Sequence, residues 1–324
     1  MSERYAADLA AVREAAERIR PWAIRTPVMT SSTMDARAGR TLFFKCETFQ
    51  RVGAFKFRGA CNAVMKLDDA SAARGVATHS SGNHAQALAL AAKLRGIPAH
   101  VVMPTSAPAI KKEAVLGYGA NVIPCAPTLA AREETAARVV AETGATLIPP
   151  YDHPDVIAGQ GTIALELLEE IPDLDAIVVP IGGGGMISGI ALAARELAPR
   201  VKVIAAEPAG ADDAARSKAG GVLVPQTGPK TIADGLLTSL GSLTWPVVRD
   251  VVDRVITVDE DAIVRAMRLV FERMKLVIEP SAAVGVAVAL SDAMREVEGA
   301  QRVGVVLCGG NVDLDRLPWI TRPA

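Results

Sequence analysis

The most informative segment of this 324-residue chain reads Ile177-Val178-Val179-Pro180-Ile181-Gly182-Gly183-Gly184-Gly185-Met186. Its apolar half predicts a buried strand, and the run Ile187 to Leu197 that follows predicts a helix. Four consecutive residues without a Cβ allow backbone N–H groups to close around an anion at a helix N-terminus, where the helix dipole favours negative charge. The segment therefore predicts a phosphate-binding loop between a strand and a helix.

Two familiar nucleotide-binding loops do not match this segment. No lysine followed by Ser or Thr ends the glycine run, which excludes the P-loop pattern. The G-x-G-x-x-G spacing also fails, because its last position falls on Ile187 or Ser188. The acidic Glu207 after the next predicted strand resembles a ribose-binding carboxylate, so an NAD-dependent oxidoreductase remains a remote alternative. A plain flexible turn is the structural alternative, although one or two glycines would be enough for a turn.

Length, composition and charge narrow the class of protein. A chain of 324 residues with 50% hydrophobic residues can build about two domains with a substantial core. A net charge of −1 argues against binding to nucleic acid or to an anionic membrane. No apolar run is long enough for a transmembrane helix, and residues 1–20 lack the apolar core of a signal peptide. We therefore expect a cytoplasmic enzyme.

The cysteines and histidines show no metal-binding pattern. None of the four cysteines forms a C-x-x-C pair, which is typical of reduced thiols. The histidines lack H-E-x-x-H or a similar zinc spacing. The cysteines are Cys46, Cys61, Cys125 and Cys308, and the histidines are His79, His84, His100 and His153.

Helix-like and strand-like segments alternate along the chain. A helix-like run ends just before each of Gly96, Gly119 and Gly144, and an apolar strand-like segment follows each glycine. This alternation predicts parallel strands joined by helices. Long helices are also predicted over 259–275 and 280–294, the first with Asp259 as its N-cap. The predicted strands are Gly75–His79, Ala99–Met103, Asn121–Ile123, Thr146–Ile148, Ala176–Val179, Val201–Ala206, Val255–Val258 and Val303–Leu307.

The predicted fold class is α/β, with open parallel sheets in two lobes. Residues 75–151 would form the smaller lobe, and residues 1–74 together with 152–324 would form the larger one. A functional site is expected between the lobes, beyond the carboxyl ends of strands.

Three other segments carry reactive groups. In Gly53-Ala54-Phe55-Lys56-Phe57-Arg58-Gly59, aromatic residues flank Lys56, and a desolvated lysine can be a neutral amine suited to forming a Schiff base. Ser80-Ser81-Gly82-Asn83-His84-Ala85-Gln86 gathers hydroxyl, amide and N–H groups where a predicted strand turns into a helix, which suits a carboxylate. Cys308-Gly309-Gly310-Asn311 follows the last predicted strand. Taken singly, these could be a surface lysine, an N-cap and a strand-ending turn.

Together, these segments resemble the fold type II pyridoxal-phosphate (PLP) enzymes, the tryptophan-synthase β-like group. Within that group the chain is most similar to the serine racemase and serine/threonine dehydratase family, over roughly residues 23–313. The resemblance implies the fold type II architecture and PLP as cofactor. The stretches that carry it include Thr26–Val28, Leu42–Glu47, Phe55–Ala60, Thr78–Ala89, Val156–Glu166, Val178–Met186, Ala205–Pro208, Thr231–Gly235, Met274–Pro280 and Gly309–Asp313.

The resemblance implies which residues contact the cofactor. Lys56 would carry PLP covalently, Asn83 would bond its phenolic oxygen, and Cys308 would lie beside the pyridine nitrogen. A neutral partner at that nitrogen leaves the ring a weaker electron sink than a carboxylate would, which favours β-elimination. The implied phosphate contacts are Gly182, Gly183, Gly184, Gly185 and Met186.

The resemblance also implies substrate contacts and a reaction. Ser80, Gly82, His84 and Arg132 correspond to positions near the substrate carboxylate, although Arg132 could equally be a solvated helix charge. Ser81 would present a hydroxyl to the cofactor face opposite Lys56 and act there as a second acid and base. Plain threonine dehydratases usually have alanine at that position. The chain is similar instead to serine racemases and to the threo-3-hydroxyaspartate ammonia-lyase branch.

The predicted activity is elimination of water from L-serine, L-threonine or 3-hydroxyaspartate, giving a 2-oxo acid and ammonia, together with serine racemisation. Serine racemase as the main activity is the alternative, because Ser81 favours racemisation, whereas Ala54 and Ala85 are typical of the dehydratases. A homodimer is implied by the resemblance alone. We expect no appended regulatory domain after residue 313.

A divalent cation site is implied at Glu207-Pro208-Ala209-Gly210-Ala211-Asp212-Asp213. The carboxylates of Glu207 and Asp213 and the carbonyl of Ala211 are hard oxygen ligands that suit Mg²⁺, or else Ca²⁺ or Mn²⁺. The alternative is an acid-rich helix start, where negative charge favours the helix dipole.

Overall fold

The computed structural model describes residues 5–107 and 109–320. Strands and helices alternate through most of that range, as the sequence predicts. The strands are β1 Val28–Met29, β2 Thr41–Lys45, β3 Val76–His79, β4 Ala99–Pro104, β5 Asn121–Cys125, β6 Thr146–Leu147, β7 Ala176–Pro180, β8 Lys202–Pro208, β9 Arg254–Val258 and β10 Arg302–Val306.

Helices cover both sheets. Short 3-10 turns lie between them, including Glu47–Phe49, Arg51–Gly53 and Asp234–Leu236. The α-helices are α1 Leu9–Ile19, α2 Ser32–Ala38, α3 Lys56–Lys66, α4 Asp69–Ala73, α5 Asn83–Arg95, α6 Ala109–Gly117, α7 Leu129–Thr143, α8 Pro154–Glu170, α9 Gly185–Leu197, α10 Asp213–Gly220, α11 Trp245–Asp250, α12 Glu260–Met274, α13 Pro280–Ala289 and α14 Asp292–Arg295.

The larger sheet has the strand order β1-β2-β10-β7-β8-β9, and only β1 is antiparallel to its neighbour. Its central strand β7 is buried along its whole length, as a strand covered on both faces should be. Because β7 and β10 are parallel neighbours, their carboxyl ends lie at the same edge. That edge therefore carries both the glycine loop after β7 and the Cys308 segment after β10.

The smaller sheet has the order β5-β4-β3-β6, and all its strands are parallel. Its core also contains Phe57, Ala60 and Val64, so helix α3 shares the core of the smaller sheet, through its contact with α5, although it precedes residue 75. The lobe boundaries at 74/75 and 151/152 stay a prediction.

Helices α3, α8 and α9 approach one another closely at glycines. A Cβ on Gly159 would lie 2.6 Å from the Cα of Gly59, and a Cβ on Gly189 would lie 2.2 Å from the carbonyl oxygen of Ile157. These contacts leave no room for any side chain. They fix α3, which begins at Lys56, relative to α9, which begins at the glycine loop.

One predicted element is wrong in its extent. The predicted helix over 280–294 ends at Ala289, and a separate short helix follows over Asp292–Arg295. The break occurs because the Ser291 hydroxyl accepts a hydrogen bond from the Met294 N–H and caps a new helix. Asp259 caps α12 as predicted, by accepting from the Ala262 N–H at 2.7 Å. No helix within the described ranges combines the length and apolar character needed to cross a bilayer.

Candidate active site

The glycine loop presents a row of unused backbone donors. The N–H groups from Gly182 to Ile187 have no hydrogen-bond partner among residues 5–107 and 109–320, and the residues that carry them are buried. Helix α9 begins at Gly185, so the positive end of its dipole lies at these donors. Buried N–H groups are rarely left unpaired, which means that the loop fits an anionic group such as the phosphate of PLP.

The reason for four glycines differs from the one expected. The missing side chains would not point into an open cradle but would collide with neighbouring segments. A Cβ on Gly183 would lie 2.4 Å from the Tyr151 ring, and one on Gly182 would lie 2.9 Å from the Cα of Leu236. Only Gly184 needs a left-handed backbone, with φ of 84°. Close packing therefore holds the loop in shape while its N–H groups stay free.

Lys56 is the first residue of α3, and its side chain is partly buried. Its ammonium donates to the carbonyl oxygen of Pro150 at 2.6 Å and lies 5.1 Å from the centre of the Phe55 ring. Burial lowers the pKa of Lys56 to about 8, although the negative charges of Cys308 and Glu279 in their ionised forms act in the opposite direction. A neutral amine is thus accessible near neutral pH, as Schiff-base formation requires.

Cys308 lies beside Lys56. Its carbonyl accepts from the Phe55 N–H at 3.0 Å, and Ala54 forms an antiparallel bridge with Gly309. The thiol is buried, and burial together with the charge of Glu279 raises the pKa of Cys308 well above its usual value. The group is therefore a neutral thiol, as the resemblance implies for the partner of the pyridine nitrogen.

Asn83 lies in a polar cluster that the sequence did not predict. Its amide nitrogen donates to both carboxylate oxygens of Glu279, at 3.0 and 3.1 Å. The amide nitrogen of Asn311 donates to the Asn83 side-chain oxygen at 2.9 Å, and the Asn311 backbone N–H donates to Glu279 at 3.2 Å. Burial raises the pKa of Glu279 to about 7, against the lowering effect of the Asn83 hydrogen bond. The cluster fixes which way the Asn83 amide faces.

The turn before α5 carries the other predicted side chains. Ser80, Ser81 and Gly82 are partly exposed, and Gly82 is the N-cap residue of α5. The Ser80 hydroxyl accepts from the Gly82 N–H at 3.4 Å. The structure therefore presents the hydroxyls of this turn next to Asn83, at the positive end of a helix. Their roles toward substrate stay a prediction.

His84 is buried and neutral. Its Nε2 lies 3.0 Å from the carbonyl oxygen of Ile148, which can only accept, so Nε2 carries the proton. The Nδ1 atom is then a bare acceptor, and it has no partner within the part of the chain that the structure describes. Burial lowers the pKa of His84 to about 3, and the nearby charge of Lys56 acts in the same direction. A contact with a substrate carboxylate would therefore come from the backbone N–H of His84 and not from its ring.

Arg132 makes no hydrogen bond or salt bridge, within the described residues, to the residues grouped around Lys56 and Asn83. It lies in the first turn of α7, is half-buried, and its Nε donates to the Thr128 carbonyl at 3.4 Å. Its charge acts in the direction of lowering the pKa of His79, the last residue of β3, and that of Cys125, the last residue of β5, although burial is the larger cause at both. Its role as a substrate contact stays a prediction.

The predicted cation ligands lie where β8 passes through a short 3-10 turn, Ala209–Ala211, into α10, and Ala211 is buried. Glu207, the penultimate residue of β8, is buried, and its carboxylate accepts from the Ala214 and Ala215 N–H groups, both at 2.8 Å. Asp213 is also buried and accepts from the Leu240 N–H at 3.1 Å. Burial raises the pKa of Glu207 to about 8 and that of Asp213 to about 6. Two buried carboxylates fit a cation, although no group of three or more His, Cys, Asp or Glu side chains gathers anywhere in the described residues.

This arrangement also weakens the oxidoreductase alternative. That interpretation needs the Glu207 carboxylate to face a bound ribose. The Glu207 side chain is only 1% exposed, so it leaves no surface on which a ribose could lie.

Comparison with known proteins shows the family to which the chain belongs. Residues 19–309 match the family described as "Pyridoxal-phosphate dependent enzyme". The chain is 55% identical to a serine racemase of Arabidopsis thaliana, over 97% of this chain and 96% of that protein. It is 54% identical to a β-hydroxyaspartate dehydratase of Paracoccus denitrificans (strain Pd 1222), over 94% and 96%. The solved structure of maize serine racemase superposes with a TM-score of 0.95 at 54% identity, covering 96% of this chain and 95% of that one.

The chain therefore belongs to the pyridoxal-phosphate dependent enzyme family, and its fold is that of the fold type II enzymes. The predicted family and fold class are confirmed.

Proposed function

We propose that this protein is a PLP-dependent ammonia-lyase that removes water from a β-hydroxy amino acid and also racemises serine. The observation that carries the proposal is that Lys56 and the glycine loop converge on residues 150–151. The Lys56 ammonium bonds to the Pro150 carbonyl, and the Tyr151 ring packs against Gly183. An amine with a lowered pKa thus lies close to a row of free N–H groups, as a cofactor with an aldehyde and a phosphate requires.

Lys56 has two tasks in this proposal. Its neutral amine would hold the cofactor covalently, and as a free amine the same nitrogen would accept the α-proton of the substrate. Bound PLP supplies electron withdrawal from the substrate α-carbon. The neutral Cys308 thiol limits that withdrawal, so that loss of the β-hydroxyl competes with reprotonation. A pKa near 8 lets Lys56 accept and return a proton near neutral pH.

Substrate is held at the N-terminus of α5 in this proposal. The backbone N–H groups of residues 82–84 and the Ser80 hydroxyl bind the α-carboxylate, with Arg132 adding positive charge. The Ser81 hydroxyl returns a proton on the face opposite Lys56, which yields the D-enantiomer. The substrates proposed are L-serine, L-threonine and 3-hydroxyaspartate. The product of elimination is a 2-oxo acid with ammonia.

Serine racemase as the main activity is the second candidate. It is favoured by Ser81, which supplies an acid and base on the second face, and by the similarity to proteins named serine racemase. The two activities share every step up to removal of the α-proton, so the same residues serve both.

Two further features belong to the proposal. We propose that Glu207, Asp213 and the Ala211 carbonyl bind Mg²⁺, with Ca²⁺ or Mn²⁺ as substitutes. The support is the pair of buried carboxylates, neither of which forms a salt bridge among the described residues, although the charge of Arg216 acts on Asp213. We also propose a homodimer, on the resemblance alone.

The test uses purified protein with PLP and three substrates: L-serine, L-threonine and 3-hydroxyaspartate. We expect an absorbance band near 410–420 nm that borohydride removes, and formation of 2-oxo acid and D-serine. Lys56→Ala should abolish both reactions. Lys66→Ala, a half-exposed lysine at the other end of α3, is the matched control and should leave activity intact.

Ser81→Ala separates the two faces. It should remove D-serine formation and turnover while leaving L-elimination partly intact. Equal loss of the L- and D-reactions would refute the assignment of Ser81. Absence of the absorbance band in the unmodified protein would refute the proposed function itself.

A further inference from the structure

The turn that precedes Lys56 is strained. Val52 has φ of 58° and ψ of 15°, and Gly53 follows with φ of 68°. Glycine adopts such a conformation freely, but a β-branched residue in the left-handed region is a genuine outlier. Strain of this kind persists only where the surrounding contacts enforce it. Lys56 begins α3 four residues later, so the direction of its side chain depends on this turn.

Asn311 supplies the enforcing contact. Its side-chain nitrogen donates to the Val52 carbonyl at 2.7 Å, and a Cβ on Gly53 would lie 2.8 Å from its side-chain oxygen. The neighbouring Gly310 N–H donates to the Gly53 carbonyl at 2.9 Å. The same Asn311 nitrogen gives its other hydrogen to the Asn83 side-chain oxygen at 2.9 Å. One amide thus joins the turn before Lys56 to the residue expected at the phenolic oxygen of PLP.

We infer that Asn311 is a positioning residue, which holds Lys56 in its working geometry by locking Val52 in the left-handed conformation. This inference rests on the proposed function, since it assigns Asn311 a role in the same site. Nothing else in the described residues bonds to the Val52 carbonyl. Without the Asn311 amide, Val52 would relax toward a negative φ, and the entry into α3 would turn with it.

The test first removes the Asn311 side chain that bonds to Val52, and then replaces Val52 with a residue that adopts the left-handed conformation without this bond. Asn311→Ala should lower kcat by about 10-fold to about 100-fold, because small misplacements of a reacting group have effects of this size. KM should change less than kcat, because none of the groups proposed to hold the substrate carboxylate, which are the backbone N–H groups of residues 82–84, the Ser80 hydroxyl and Arg132, bonds to Asn311. Val52→Gly in the Asn311→Ala background should recover about 5-fold or more of the lost kcat, because glycine adopts the left-handed turn without a clamp. Val52→Asn, which also tolerates this region, should give a smaller recovery.

Gln50→Ala is the matched control. The Gln50 side chain also ties loops together beside the same turn, through hydrogen bonds to Ile24 and the Arg51 N–H. Its side chain makes no hydrogen bond to Val52. If loss of kcat in Asn311→Ala were only general destabilisation, Val52→Gly would rescue Gln50→Ala equally well, and the inference would fail.

Two further results decide the matter if a variant folds poorly. Val52→Gly and Val52→Ala both lose the packing of the Val52 side chain against the core, but only glycine adopts the left-handed turn freely. Val52→Gly should therefore melt at a higher temperature than Val52→Ala, and the reverse order would count against the inference. Asn311→Ala that folds only together with Val52→Gly would support it. A wild-type protein with the borohydride-sensitive band and full activity, combined with an unaffected Asn311→Ala variant, would overturn the inference about Asn311 and leave the proposed function standing.

Discussion

Replacing Glu166 with glutamine should destabilise the protein strongly, because Glu166 neutralises two buried cations beneath the site. The Lys45 ammonium, on β2, is fully buried and donates to Glu166 and to the Thr26 carbonyl, both at 2.6 Å. Arg58, two residues after Lys56, donates to the two Glu166 oxygens at 2.7 and 2.8 Å. Arg58 has a second carboxylate partner in Glu47, whereas Lys45 has none among the described residues.

The size of the stability loss depends on which buried charge is left without a carboxylate partner. In Glu166→Gln, Glu47 still balances Arg58, but the buried ammonium of Lys45 loses its one carboxylate partner among the described residues and keeps only neutral oxygens as acceptors. Breaking a buried pair by removing one partner costs about 3 to 5 kcal/mol. At about 2 °C for each kcal/mol in a chain of this size, the melting temperature should fall by about 6 °C or more. Thermal or urea unfolding of the PLP-loaded protein measures the change.

Glu169→Gln provides the control on the same helix. Glu169 pairs with Arg25 at 2.7 Å, but the two side chains are 70% and 54% exposed, so its loss should change stability by less than about 1 kcal/mol. Adding Lys45→Met to Glu166→Gln should recover most of the lost stability, because the uncompensated charge is removed. The reasoning is refuted if Glu166→Gln is no more destabilising than Glu169→Gln, or if Lys45→Met recovers nothing.

Three other outcomes are expected. Gly183→Ala places a methyl group 2.4 Å from the Tyr151 ring, so it should displace the loop and weaken PLP retention at least about 10-fold, measured by dialysis. Because burial lowers the pKa of Lys56 to about 8, the rate of PLP attachment to cofactor-free protein should rise with pH up to about 8 and then level off; a rise that continues to pH 10 would contradict this. Saturating Mg²⁺ should raise the free energy of unfolding by about 3 kcal/mol at 100 times its Kd, and Glu207→Gln should abolish the effect, whereas an unchanged shift would place the cation elsewhere.

Local sequence patterns predicted the features of the structure that are formed by a single continuous segment of the chain. The glycine loop directly follows a buried apolar strand, and the N-cap Asp259 bonds to a residue only three positions later. Both features can therefore be recognised from the local sequence without knowing the fold. The family resemblance then supplied roles for Lys56, Asn83 and Cys308. The structure adds how Lys56 is held, through the Pro150 carbonyl and the turn at Val52.

The parts that escaped prediction are contacts between distant segments. Glu279 bonds to Asn83 across 196 residues, and Asn311 bonds to Val52 across 259 residues. Both belong to stretches that carried the family resemblance, but nothing in their local pattern shows what they touch. The role of Tyr151 could not be predicted for the same reason. Only the packed structure shows that the Tyr151 ring occupies the space where a Cβ on Gly183 would lie. A left-handed valine offers no sequence signal either, since valine normally predicts a strand.

Lys56 and the ionisable groups around it all have pKa values that are shifted toward the neutral form, which bears on proton transfer in the site. Burial is the first cause of the pKa shift at each of them, and it favours the neutral form every time. His84 and Cys308 are neutral at ordinary pH. The pKa of Lys56 is lowered to about 8, and the pKa of Glu279 is raised to about 7. Without ligands, the charge of this group near neutral pH therefore comes from Lys56, which is mostly protonated, and from Glu279, which is partly ionised. Negative charge would arrive with the phosphate, opposite the free N–H groups of α9, and with the substrate carboxylate, at α5. Because these anions would be bound by backbone donors that cannot titrate, Lys56 stays free to gain and lose a proton near neutral pH.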